Sequence, residues 1–248
     1  MRLSSNRHGG SNPSISAKVG ASMKIEEAVE KLAAFKPKSI FLYGSQAVGE
    51  TNSSSDYEIG VVFDEENYVG RAVLRQQVPD EKFAIFPFKK EELETYNIDT
   101  PFQKNIYIAA MIMGGAKTVF GEKIVESLPV PKISTMDLLM DCSFLLGRAL
   151  SAVVVAKENH LRLANEMLYK SAFFATRNLI FCKTGKLING YNNIFDQAKL
   201  LDLPQDYQSL LQLCADLRSE KTTEVDTSWY YKNISYINKY IIPIIKGE

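Results

Sequence analysis

Gly44-Ser45-Gln46-Ala47-Val48-Gly49-Glu50-Thr51-Asn52-Ser53-Ser54-Ser55-Asp56-Tyr57-Glu58-Ile59-Gly60-Val61-Val62 sets a Gly-Ser turn ahead of a segment that opens with alternating carboxylates. Immediately upstream, Ile40-Phe41-Leu42-Tyr43 is a short apolar run closed by Gly44 and Ser45. It reads as a buried strand running into a tight turn and then a helix. Gly44 allows close approach of the backbone to a phosphate, and Ser45 adds a hydroxyl to the backbone N–H donors of the turn. The dipole of a following helix favours negative charge there. In the next strand, Asp56 to Phe63, the two-residue period points Asp56 and Glu58 to one face. Two acids side by side repel unless a cation lies between them. Mg²⁺ takes oxygen ligands and uses one or two carboxylates plus substrate phosphates, so the pattern fits a nucleoside triphosphate with Mg²⁺.

These residues resemble the nucleotidyltransferase superfamily of the DNA polymerase beta type, in particular its small bacterial members and the kanamycin nucleotidyltransferase group. The matching signature is Gly44-Ser45, a helix containing Gly49, then Ser55-Asp56-x-Glu58 opening a strand. Gly115 to Lys123 is similar to the family's later strand, which ends in an aromatic-Gly-acid turn at Phe120-Gly121-Glu122. The resemblance spans Lys24 to Pro131 by motif and the remainder by helical character alone. It implies that Gly44, Ser45 and Ser55 hold the nucleotide and that Asp56 and Glu58 hold the metal. Either pair alone is common: a Gly-Ser after an apolar run is usually a turn, and Asp-x-Glu at a strand start often marks a solvated edge. Their order and spacing together are more specific.

One departure bears on activity. Members of this family commonly present a third carboxylate from a neighbouring strand, and the strand in that role, Phe83 to Phe88, contains no acid. Asp80 and Glu81 precede it, so the third carboxylate comes from one of these or from neither. Glu58 also stands where Asp is more frequent. An enzyme and a nucleotide-binding scaffold with decayed chemistry both fit this pattern.

At 248 residues with 46% hydrophobic content, the chain has material for one large domain or two modest ones. Twenty-nine basic and twenty-nine acidic residues cancel. No global field attracts nucleic acid, which argues against long polynucleotide substrates. Cys142, Cys182 and Cys214 have no paired spacing and read as buried thiols in a reducing cytoplasm. Two histidines, His8 and His160, offer little for zinc or a triad. No run approaches the eighteen apolar residues of a membrane span.

The fold class expected is α+β: an N-terminal mixed sheet with flanking helices, followed by an all-α bundle. Residues 1–22, rich in Ser, Gly and Asn, read as a disordered leader that ends before Met23. The nucleotidyltransferase-like unit is placed at 23–131. Ile25, Ala28, Val29, Leu32 and Ala33 give it an amphipathic first helix, Phe83 to Phe88 a third strand, Lys89 to Tyr96 a helical turn, Pro101 to Met113 a helix and Thr118 to Phe120 a short strand. Leu128-Pro129-Val130-Pro131 reads as a stiff linker. The bundle, 132–248, has helices at Thr135 to Val155, Glu158 to Lys183, Ile194 to Leu201, Tyr207 to Arg218 and Ser228 to Ile245.

Within the bundle, Glu158, His160, Glu166, Lys170 and Arg177 are the candidates to face a cleft. Glu166 is the replacement for the missing base, and Lys170 a cation for the triphosphate. Glu166 and Lys170, four residues apart, also suit an ordinary surface ion pair. Met167, Phe173 and Phe174 read as core. Ribonucleases with related helical domains resemble one another in an Arg followed four to six residues later by His; Arg177 is followed there by Phe181, Cys182 and Lys183, so that chemistry lacks its base. Trp229, Tyr230, Tyr231, Tyr236 and Tyr240 make the last helix a candidate homodimer surface, with bundle core as the alternative. The expected function is Mg²⁺-dependent transfer of a nucleoside monophosphate from a triphosphate to a hydroxyl of a small molecule or protein.

Overall fold

A computed structural model describes residues 23–52, 55–98 and 104–248; the expected leader at 1–22 lies outside them. The chain starts with α1 (Ile25–Ala33), whose Ala28 and Leu32 are buried. Then come β1 (Ser39–Tyr43), α2 (Ser45–Val48) and β2 (Tyr57–Phe63). The helix expected to contain Gly49 is a single turn that ends at it, because Gly49 takes the left-handed conformation (φ 74°). After β2 follow α3 (Arg71–Gln77), β3 (Phe83–Lys89) and α4 (Lys90–Glu94). Next are α5 (Lys104–Ala110), a π-helical turn at Met111–Gly115, β4 (Ala116–Gly121) and α6 (Ile124–Ser127). The first residues of the helix expected from Pro101 lie outside the described residues.

The four strands form one mixed sheet in the order β3-β2-β1-β4, with β2 and β3 parallel and the other pairs antiparallel. The register places Tyr43 opposite Glu58, and Ala84 on the other side of Glu58. The carboxylate therefore stands mid-sheet, at the end where β1 runs into its turn. Alternation divides the flanking core. Ile40, Ile59, Val61, Phe63, Phe83 and Ile85 pack with α1 and α3 on one face, while Phe41, Tyr43, Val62 and Phe88 pack with α5 and α6 on the other.

From Thr135 the chain is helical: α7 (Thr135–Lys157), α8 (Leu161–Thr184), α9 (Tyr191–Ala198), α10 (Gln205–Arg218), α11 (Ser228–Tyr236), a π-helical turn at Ile237–Ile241, and α12 (Ile242–Lys246). Ser134 caps α7 by accepting from the Asp137 N–H at 3.2 Å, and the Asp137 carboxylate in turn accepts from the Ser134 N–H at 2.6 Å. A tight turn at 158–160 folds α8 back along α7. Their contact is filled by small and medium side chains, among them Cys142, Leu145, Ala149, Ala152, Ala164, Leu168 and Ala172.

Helix α7 corrects one expectation. With a mean hydropathy of 1.8 over 18 of its 23 residues, it is long and apolar enough, by length and composition, to cross a membrane. Asp137, Asp141 and Arg148 interrupt it, which is why no uninterrupted apolar run shows in the sequence. A helix packed into a bundle core passes the same test. Cys182 is also a correction: it is exposed, unlike Cys142 and Cys214, because it falls on the outer side of the last turns of α8. In the final helical stretch Tyr230 is buried, and Tyr236 and Tyr240 pack on the buried Tyr207 with ring centroids 4.6 and 6.1 Å away. Most of its aromatic surface thus serves the bundle; Tyr231 alone among these tyrosines is largely exposed, at 52%.

Candidate active site

Between the sheet and the helices lies a cavity of about 520 Å³. Gly44, Ser45, Ser55, Asp56, Glu58, Glu166 and Lys170 all line it, although they come from the β1–α2 turn, β2 and α8. The juxtaposition of α8 with the carboxylate pair depends on tertiary packing alone.

The turn begins at Gly44, in a conformation (φ 68°, ψ −149°) that only glycine adopts readily. A Cβ at Gly44 would overlap Glu58 Oε2, so the turn has to leave that space to the carboxylate. Because α2 is one turn long, it contributes little macrodipole, contrary to the expectation of a phosphate-facing helix. The backbone N–H groups and neighbouring cations are what remain to meet an anion. Ser55 reaches the cavity as part of a turn: its hydroxyl accepts from the Asn52 N–H at 2.9 Å and donates to Asn52 Oδ1 at 2.8 Å.

Asp56 sits just before β2, exposed at the mouth, and Glu58 lies deeper. Burial raises the pKa of Glu58 above the usual carboxylate range; Lys170 and Arg148 oppose that shift, and Asp56 and Glu166 reinforce it. Two sheet carboxylates and two helix cations are thus close enough to act on one another. Among the described residues no group of three His, Cys, Asp or Glu side chains is placed to hold a metal. The site offers two hard oxygen donors in a mutually repelling pair, which fits a divalent cation that draws its other ligands from a phosphate chain.

The third strand supplies no acid. Ala84, the neighbour of Glu58, and Phe86 are the residues of β3 that line the cavity. Asp80 instead accepts from the Met23 N–H at 3.2 Å and the Lys82 N–H at 3.0 Å, and Glu81 is exposed and outside the lining. Beyond the Asp56–Glu58 pair the lining carboxylates are Asp141 on α7 and Glu166 on α8, the latter ion-paired to Lys170 one turn on. The Glu166 and Lys170 side chains are about a third exposed, at 31% and 30%.

Arg177 also reaches the cavity. It pairs with Asp141 at 3.5 Å, its guanidinium lies 4.9 Å over the Phe174 ring, and Asp141 also accepts from Asn178 Nδ2 at 2.7 Å. Phe174, expected as core, is part of the cavity wall. Glu158 and His160 are corrections. They form the exposed turn between α7 and α8 and do not line the cavity, because the cleft faces the middle of α8 rather than its start.

Arg71, Arg148, Tyr191 and Arg218 were not indicated by the sequence, and all line the cavity. Tyr191 opens α9, whose first N–H groups meet the Glu50 carboxylate; Arg218 donates to the Glu50 carbonyl and lies 4.6 Å over the Tyr191 ring. Glu50 thereby ties the loop after α2 to α9 and α10. Gly190, just ahead of Tyr191, is a turn residue, and nothing local signals the partner of Tyr191, which lies 141 residues away.

Comparison with known proteins agrees with this geometry. The family model described as the nucleotidyltransferase domain matches residues 22–116, which carry the sheet, the Gly44 turn and the Asp56–Glu58 pair. Over residues 22–116 the chain is therefore similar to a nucleotidyltransferase domain. No curated protein sequence matches the chain. Among solved structures, spectinomycin adenyltransferase AAD(9) from Enterococcus faecialis, solved with ATP and spectinomycin, matches with a TM-score of 0.55 at 15% identity. The match covers 90% of this chain and 100% of that one, so the fold similarity extends through the helical part.

Proposed function

We propose that this chain transfers a nucleoside monophosphate from a nucleoside triphosphate to a hydroxyl of a small molecule, with Glu166 as the base. The observation that carries this reading is the cavity itself, where a glycine turn, a carboxylate pair and a helix-borne Glu–Lys pair meet. The nucleotidyltransferase domain supports the reaction class, and the adenyltransferase of like fold was solved with ATP and a small molecule.

On this reading Asp56 and Glu58 hold Mg²⁺, which supplies charge neutralisation at the phosphates when bound. Gly44 and Ser45 receive phosphate oxygens on backbone N–H groups and a hydroxyl. Lys170 and Arg148 balance the remaining negative charge. Glu166 takes the acceptor's O–H proton as that oxygen bonds to the α-phosphorus. The bond from the α-phosphorus to the bridging oxygen breaks, and pyrophosphate leaves with the electron pair. Positioning and preorganised charge would supply most of the acceleration.

The test is thermal stability with ATP, GTP, CTP and UTP, each with and without Mg²⁺, beside a D56N/E58Q variant. A metal-dependent rise lost in the variant supports the nucleotide site, and pyrophosphate release with acceptors then tests transfer. Ala84 beside Glu58 favours a second reading, a nucleotide-binding scaffold without transfer chemistry. Binding without pyrophosphate release, unchanged by Glu166→Gln, is the result that reading requires.

A further inference from the structure

The charged side chains around the cavity are unequally engaged. Of the carboxylates, Asp56 and Glu58 form the proposed metal pair, Glu166 holds Lys170, and Asp141 is shared between Arg177 and Asn178. Among the described residues none is left over for a cationic substrate. Of the cations, Arg218 is fixed on the Glu50 carbonyl and the Tyr191 ring. Arg71 and Arg148 make no ion pair among the described residues.

These two arginines stand on different walls, Arg71 on α3 and Arg148 on α7. The charges of Arg148 and Lys170 act on Glu58 from the helices α7 and α8. Arg71 opens α3 on the β3 side, with its guanidinium 4.5 Å over the Phe86 ring and its charge acting on Tyr43. The wall there is aromatic: Tyr43 meets Phe86 and Tyr107 edge-on, each at 5.9 Å, with Ala84 below. A guanidinium stacked on a ring keeps its N–H fork available, which is the geometry that takes a carboxylate or phosphate in two bonds.

We propose that this end of the cavity is the acceptor subsite, and that the acceptor is a hydroxyl compound carrying an anionic group, received by Arg71. The proposal rests on the nucleotidyl-transfer reading above and narrows it. An amine-rich acceptor would bring its ammonium groups against Arg71 with no free carboxylate among the described lining residues to offset the repulsion. An apolar or ring body in the acceptor would lie on the Tyr43–Phe86–Tyr107 wall.

The test uses two matched probe sets on the full chain with Mg²⁺ and a non-hydrolysable ATP analogue. One set is glucose 6-phosphate, glucuronate, glucose and glucosamine; the other is 3-(4-hydroxyphenyl)propionate, tyrosol and tyramine. Calorimetry gives affinities, and labelled ATP reports transfer. In at least one set the anionic member is expected to bind about tenfold more tightly than the neutral one, the size of one charged hydrogen bond, and the cationic member more weakly still. The phosphate and carboxylate members distinguish the two anion types. Arg71→Ala should erase the preference without changing the affinity for Mg·ATP, whereas Arg148→Ala should weaken Mg·ATP. Arg71 is exposed at the start of its helix, so the variant retains the fold. The proposal is overturned if no probe shows an anion preference, if kanamycin or spectinomycin is labelled in preference to anionic probes, or if Arg71→Ala chiefly weakens Mg·ATP. Failure of Mg·ATP to bind the wild-type chain would instead remove the transfer reading, and this inference with it.

Discussion

A side chain at position 44 would occupy the space where Glu58 Oε2 lies, so the glycine of the turn serves the carboxylate as well as the backbone. Gly44→Ala should therefore act twice. Backbone strain should cost about 1–3 kcal/mol, read as a fall in urea midpoint, and the displaced Glu58 should lower transfer by about a hundredfold. Glu58 itself is a partly buried acid whose pKa is raised chiefly by that burial. The folded state therefore holds this proton to a higher pH than the unfolded state, and the chain loses stability as pH rises from the unfolded carboxyl value of about 4.3 through the folded one. Without nucleotide, Glu58→Gln should be more stable than wild type at neutral pH. That gain should vanish below about pH 4, where wild-type Glu58 is protonated in both states. Equal urea midpoints at neutral pH would show that Glu58 carries no burial penalty. Gly44, Ser45, Asp56 and Glu58 were legible in the sequence because turn chemistry and the two-residue strand period are local. Glu166 and Lys170 stood out through the need for a base and a cation. Arg71, Arg148 and Arg218 did not, since each is one charge among many on the helices and only packing selects those that reach the cavity.

At the scale of elements, α9 is held by an acid that is distant in sequence. The Glu50 carboxylate accepts from the Tyr191 N–H, and from the Asn192 N–H at 3.2 Å, meeting the free donors and positive end of the helix. Arg218 closes the arrangement from α10 through the Glu50 carbonyl, and the Asn52 side chain returns a bond to the Arg218 carbonyl at 3.2 Å. Glu50→Ala should cost about 1–2 kcal/mol, the usual value of a helix N-terminal acceptor, and should raise KM for the nucleotide by loosening Tyr191 at the cavity rim. Glu50→Gln retains an acceptor and should lose roughly half as much; a Glu50→Ala variant with wild-type stability would show that the contact carries no weight. The long helices were legible because apolar spacing recurs over many turns. Helix α3 was not: Arg71-Ala72-Val73-Leu74-Arg75-Gln76-Gln77 buries Leu74 alone and so carries no readable period. Helix α2 was expected to contain Gly49, which instead adopts the left-handed conformation and ends it after one turn.

At the scale of the molecule, neither half contains the site. Composition and periodicity sufficed for an α+β chain with its helices gathered at the C-terminal end, since strand alternation gives way to helical spacing after Pro131. How the helices meet the sheet was not legible, because it depends on contacts such as Asn189 Nδ2 to the Ala110 and Met113 carbonyls, at 2.8 and 3.0 Å. That geometry has a consequence for binding. A ligand seated between two walls stabilises whatever must be folded to bind it, by about 2.7 kcal/mol at a hundred times Kd. If the cavity closes on Mg·ATP from both sides, hydrogen exchange should slow in Gly44–Val48 and the head of β2, and also in the middle of α8 around Glu166 and Lys170. The D56N/E58Q variant should show neither change. Glu166→Gln keeps the shape of the α8 wall, so it should retain both protections while losing transfer. Protection confined to the sheet would mean that the helices do not contact the nucleotide, and would move the base to another group.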